Sequence, residues 1–145
     1  MDVTNNASMS KDQLAKAFGT HLLEFIDDIR RVFPGVEDIE LARKTLSKII
    51  LIFPKLVIKL FRDHIANIYF EPIERGDIDF FINNDYKPDM QRLGYKEQDA
   101  NSKIIMEKIE CLRDPIRDMK GDDIQKVVKY IQNLTKLSRM YISSK

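Results

Sequence analysis

From Leu14 onward, apolar residues return every three or four positions through most of the chain: Leu14, Phe18, Leu22, Phe25, Ile29 and Val32 open the pattern. That spacing puts them on one side of an α-helix, whereas a half-buried strand would alternate with a period of two. No segment makes a convincing strand. The pattern therefore predicts an all-α fold, an irregular bundle of five or six helices with a loop-rich acidic middle segment.

The first helix carries its own start and stop. Ser10-Lys11-Asp12-Gln13 is a capping box, in which the serine hydroxyl and the glutamine side chain each satisfy an exposed amide. Phe33-Pro34-Gly35 ends it, because proline disfavours helical backbone at Phe33 and brings no amide hydrogen. A second helix is expected from about Asp38 to Ile52, with Ile39, Ala42, Leu46 and Ile49 inward. Pro54 suits a first helical position, and Lys55 to Phe70 reads as a third helix. Its apolar residues, from Leu56 and Leu60 to Ile65, Ile68 and Tyr69, cover more than half the circumference, which marks it as the hub of the core or as shared with a partner. After Asn101, Ile105, Met106, Ile109 and Leu112 form another stripe, limited by Pro115. The last helix follows Gly121, with Asp122 as expected N-cap and Ile124, Val127, Val128, Ile131, Leu134 and Tyr141 on one face. Phe18, Phe25, Leu46, Leu60, Ile65 and Ile131 are the expected core.

The 145 residues suit one domain, read as a flexible segment 1–9 followed by a single helical domain 10–145. A formal charge of +1 lacks the basic excess of a dedicated nucleic-acid binder, and a single cysteine, Cys111, excludes an internal disulfide. No apolar stretch of signal-peptide type opens the chain, and Lys55 and Lys59 interrupt the longest apolar run, so a soluble intracellular protein without a transmembrane segment is expected.

The chemistry of catalysis is sparse. His64 falls within the apolar arc of the third helix and reads as a core or interface histidine; His21 sits at the rim of the first helix near Glu24 and Asp28. Neither stands in a zinc-binding His-Glu-x-x-His spacing. Cys111 has no histidine near it in sequence to make a thiolate, so a structural thiol is the better reading. Asp77-Ile78-Asp79 begins like a calcium loop, but Phe81, Ile82 and Pro88 stand where a ligand, the glycine and the closing acid belong. Asp77 reads as a helix cap after Gly76. No enzyme, metal or cofactor is expected.

What the sequence offers instead is surface. Lys55, Lys59 and Arg62 make one basic ridge, and Lys126, Lys129 and Lys136 another on a last segment that holds five bases and no acid from Ile124 to Lys145. Such ridges are ordinarily the solvated sides of amphipathic helices; they also suit acidic protein surfaces, lipid headgroups or phosphates. Between Glu71 and Asp99, eight acids outnumber four bases, and Phe80, Phe81 and Tyr86 stand out as aromatics in a turn-rich segment. They cover the third helix or anchor a partner.

Several motifs also resemble those of a known group: Phe18-x-x-x-Leu22-x-x-Phe25-x-x-Asp28, Phe33-Pro34, Pro54 opening an apolar helix, Gly76-Asp77-Ile78-Asp79-Phe80-Phe81-Ile82-Asn83-Asn84-Asp85-Tyr86, Leu112-Arg113-Asp114-Pro115-Ile116, and Lys129 to Leu137. Over about residues 14–141 the chain resembles a family of small uncharacterised helical proteins of large nucleocytoplasmic DNA viruses of algae and protists. The resemblance implies a virion part, such as a minor capsid or cement protein that bridges neighbouring capsid proteins, and it carries no catalytic residues. The expected partners are other viral structural proteins and copies of this chain; the expected location is the virion, and the infected-cell cytoplasm before assembly. The alternative is an intracellular viral regulatory adaptor with weak nucleic-acid association through the basic C-terminal helix.

Overall fold

Ser10 starts helix α1 (Lys11–Val32) by the capping box: its hydroxyl accepts from the Gln13 amide at 3.1 Å, and the Gln13 side chain accepts from the Ser10 amide at 2.8 Å. The protein is seen in a computed structural model that describes residues 9–77, 79 and 100–143. Of the N-terminal segment expected to be flexible, residues 1–8 lie outside the described residues, and Met9 packs partly buried against the core. Helix α2 (Glu37–Ile52) turns Ile39, Ala42, Leu46 and Ile49 inward as the spacing requires, and Pro54 opens helix α3 (Pro54–Phe61).

The third helix departs from the sequence reading. It ends at Phe61, widens into a π-turn over Arg62–Ala66 closed by the Asn67 amide on the Arg62 carbonyl at 2.9 Å, and then breaks. A continuous helix to Phe70 and beyond would require Pro72 to donate to the Ile68 carbonyl, which it lacks the hydrogen to do. The chain instead restarts as helix α4 (Phe70–Arg75), where Pro72 stands in the first turn and needs no partner. Ile68, placed in the break, is exposed and does not join the apolar arc. Gly76 closes α4 at φ 75°, so that its amide reaches the Ile73 carbonyl at 3.0 Å and the Asp77 amide reaches the Pro72 carbonyl at 2.8 Å. Asp77 thus helps to finish α4; the segment it was expected to cap lies mostly outside the described residues.

Helix α5 (Ala100–Cys111), the short α6 (Arg113–Arg117) around Pro115, and α7 (Asp122–Ser143) complete the chain. Asp122 is the first helical residue of α7 and not its N-cap: Gly121, at φ 58°, precedes it, and the Gly121 carbonyl already accepts from Gln125 at 3.3 Å.

The two longest helices, α1 and α7, are antiparallel. Lys11 Nζ lies 5.2 Å from the Tyr141 ring at one end, Phe25 and Tyr130 stack at 5.3 Å in the middle, and Arg31 pairs with Asp123 at 3.0 Å at the other end. Helix α2 flanks α1, tied by Arg43, whose Nε and Nη2 donate to the two Asp27 oxygens at 2.8 and 3.1 Å, and by Arg30 to Glu40 at 3.0 Å. Helix α3 packs among α1, α2, α5 and α7. Its Phe61 ring meets Phe18 edge-on at 5.2 Å. All six expected core residues are buried, Phe18, Leu46 and Ile65 completely. No strand occurs among the described residues, and the architecture is an irregular all-α bundle.

Candidate functional site

Along the outer seam of α1 and α7, small side chains leave space that the core does not fill. Ala17 and Thr20 on α1 face Asn133, Leu137 and Met140 on α7, and between them runs an open groove of about 780 Å³. Met9, Ala17, Leu137 and Met140 make its apolar surface, while Lys16 and Lys136 supply cations on the two walls. Methionines suit such a surface, because an unbranched thioether re-packs against different occupants at small cost.

His21 and Glu24 mark the groove on the α1 side. His21 Nδ1 is 3.4 Å from the Glu24 carboxylate, and the imidazole packs against Tyr130 at 5.0 Å between ring centres. Its Nε2 is shielded from solvent and has no hydrogen-bond partner among the described residues. Burial, with Asp28 and Glu24 nearby, pushes the Tyr130 hydroxyl above its ordinary range, so it stays protonated. An apolar surface with charged walls is equipment for holding an amphipathic segment.

Of the sequence-derived contact residues, Lys136 lies in the groove wall, and Lys126 and Lys129 stand exposed along the outer side of the same helix. The other basic ridge is partly tied down. Lys55 is exposed but pairs with Asp12 at 2.9 Å, and Lys59 is exposed one turn on. Arg62 is mostly covered, bonded to Asp63 at 2.8 Å and lying over the Tyr141 ring at 5.6 Å, so it braces the end of α7. Arg139, on the same helix, stacks on Phe70 at 3.9 Å and donates to Asn67 at 3.3 Å. Phe80, Phe81 and Tyr86 lie outside the described residues.

The titratable candidates are placed differently. His64 is buried, and burial lowers its pKa from the ordinary 6.5, against a weaker upward pull from Asp63. Cys111 is half-buried beside a cleft of about 280 Å³ that also holds Asp38, Asp114 and Asp118. Burial pushes its thiol up, Lys108 pulls it down, and Asp38, Glu110 and Asp114 push it further up, the opposite of an activated nucleophile. Among the described residues no three His, Cys, Asp or Glu side chains are grouped to hold a metal ion, and no helix is long and apolar enough to cross a membrane.

The groove itself was missed by the sequence reading. Its signal is faint: Ala17 and Thr20 on one helix, and Lys136, Leu137 and Met140 at helical spacing on the other, look like an ordinary boundary between stripe and solvent until the helices are laid side by side. Searches against protein-family models, curated proteins and solved structures return no match.

Proposed function

We propose that this chain is a non-enzymatic interaction protein that holds a neighbour in the α1–α7 groove, in the setting of a large viral particle where it bridges or cements capsid proteins. The groove is the observation that carries the docking part: a methionine-lined seam that the described residues leave open, with Lys16 and Lys136 on its walls. The occupant that matches it is an amphipathic helix of the partner, with apolar residues at helical spacing toward the groove and acids toward the two lysines. The capsid setting is supported by the sequence resemblance. A cement protein gains occupancy from several weak contacts at high effective concentration, and a net charge of +1 is compatible with that.

Mass spectrometry of purified particles tests the setting: the protein should be a stoichiometric component. Abundance in infected cells with absence from particles would remove it. Ala17→Arg fills the groove and tests the docking: incorporation should fall while the melting temperature of the isolated protein stays within a degree or two.

The exposed Lys126 and Lys129 favour one second reading, a regulatory adaptor that touches nucleic acid through α7. It requires binding to DNA or RNA that weakens steeply with salt; no binding at low salt removes it.

A further inference from the structure

The corner between α2 and α3 carries the largest exposed side chains of the chain's apolar stretch. Leu51 is 84% exposed, Ile52 66% and Phe53 43%, and Leu41, 48% exposed, continues the line along the same outer face of α2. At about 100° per residue, Lys44 and Lys48 share that face, roughly 10 and 5 Å down the helix axis from Leu51. Both are exposed, as are Lys55 and Lys59 beyond the turn. From Leu41 to Leu60 the sequence has five bases and no acid. Arg43 is turned inward to Asp27, and Asp12, reaching over from α1, pairs with Lys55; Lys44, Lys48 and Lys59 form no ion pair among the described residues.

We infer that this corner is an anchoring site for an anionic lipid surface, independent of the α1–α7 groove. Leu51, Ile52 and Phe53 would enter the boundary between headgroups and acyl chains, and the lysines would stay at the level of the lipid phosphates, their methylene stems against the apolar tip. A two-fold contact with a second copy fits less well. Such an interface sets the patch against itself, and Lys44 and Lys48 would face their own counterparts. An exposed apolar tip flanked by Lys44, Lys48 and Lys59 matches a planar, negative, deformable surface, and that charge complementarity selects the occupant.

The chain contains no tryptophan, so Leu51→Trp supplies a single fluorescent reporter at the tip. With vesicles of phosphatidylcholine plus phosphatidylserine, its emission should shift to the blue and be quenched by lipids brominated near the headgroup; with pure phosphatidylcholine the shift should be small. In co-sedimentation, Lys44→Gln with Lys48→Gln should weaken binding by about fivefold per lysine, and added salt should weaken it further. Leu51→Asn with Ile52→Asn, at exposed positions that leave the helical circular dichroism unchanged, should abolish it. The inference is overturned by the absence of binding to the anionic vesicles, or by binding that neither pair of substitutions alters. It is also overturned if the protein self-associates without vesicles and Leu51→Asn with Ile52→Asn dissolves the oligomer, since the patch is then covered by a second copy.

Discussion

Gly19, in the middle of α1, sets how closely α2 approaches. A Cβ added there would stand 2.6 Å from Ile50 Cγ2, and 3.7 Å from both Cβ and Cγ1 of the same side chain. Carbon atoms rest about 3.5–4.0 Å apart, so the conflict is with one methyl group and amounts to about 1 Å. That methyl cannot swing aside easily, because it branches at Cβ and isoleucine in a helix is held largely to one χ1 rotamer. Overpacking of this kind costs about 1–3 kcal/mol. Alanine in place of a mid-helix glycine returns about 1 kcal/mol through backbone propensity. Gly19→Ala should therefore lower stability by about 1 kcal/mol net, measured as a shift in the urea midpoint by circular dichroism, or as about 2–4 °C in melting temperature. The discriminating measurement uses Ile50→Ala as background. The overlapping methyl is then gone, the nearest remaining atom is Ala Cβ at ordinary contact distance, and Gly19→Ala should change sign and stabilise by up to about 1 kcal/mol. A stabilising Gly19→Ala in the natural sequence, or the same effect in both backgrounds, would refute the close approach of α1 and α2.

Leu60→Ala should cost about 2–5 kcal/mol in chemical denaturation, since it empties space in the helix that packs on α1, α2, α5 and α7; a loss below about 1 kcal/mol, the scale of surface changes, would show that α3 is not central. Burial lowers the His64 pKa below 6.5, so below that value the unfolded chain takes up a proton more readily than the folded one. Stability should therefore fall as pH drops through about 6.5 toward the depressed pKa of the folded state, and His64→Gln should flatten that slope in a series of urea midpoints. Asp27 acts in a lower window: hydrogen bonds from Arg43, then Arg30, outweigh desolvation and hold its carboxyl below 3.8, so its contribution is present above that value and lost as pH falls through the depressed one. Arg43→Ala should remove most of this acid-limb dependence. Arg139→Ala should cost about 0.5–1 kcal/mol through the lost stacking on Phe70, and Arg139→Lys should recover only part of it.

The helices that could be read in advance are those whose signals are local. A capping box and a proline fixed α1 between Ser10 and Phe33, and the Ile39-Ala42-Leu46-Ile49 stripe is the buried face of α2 because nothing within it conflicts with helix geometry. The apolar pattern of the third helix runs on through Tyr69, past the point where the helix breaks, because the missing amide of Pro72 acts on a carbonyl four residues upstream. Asp122 was shifted by one position because Gly121 takes a left-handed conformation that lets the helix begin at once. Arg62 falls on a basic ridge by its spacing, yet it covers the Tyr141 ring, as Arg139 covers that of Phe70, and such pairings are set by tertiary packing alone. The groove was hidden for the same reason. A cavity is made by what two helices lack at facing positions, and Ala17 shows its meaning only opposite Leu137 and Met140.

The most direct test of docking through the α1–α7 groove places a photoreactive amino acid at Ala17 and, as a control, at the exposed Glu107 on α5, and irradiates assembled particles that have incorporated each protein. If a neighbour docks in the groove as proposed, the Ala17 position should cross-link to one partner protein, at a helical segment with acids beside its apolar face, and the Glu107 position should not reach that segment. Incorporation into particles with no cross-link from Ala17, or the same products from both positions, would contradict it.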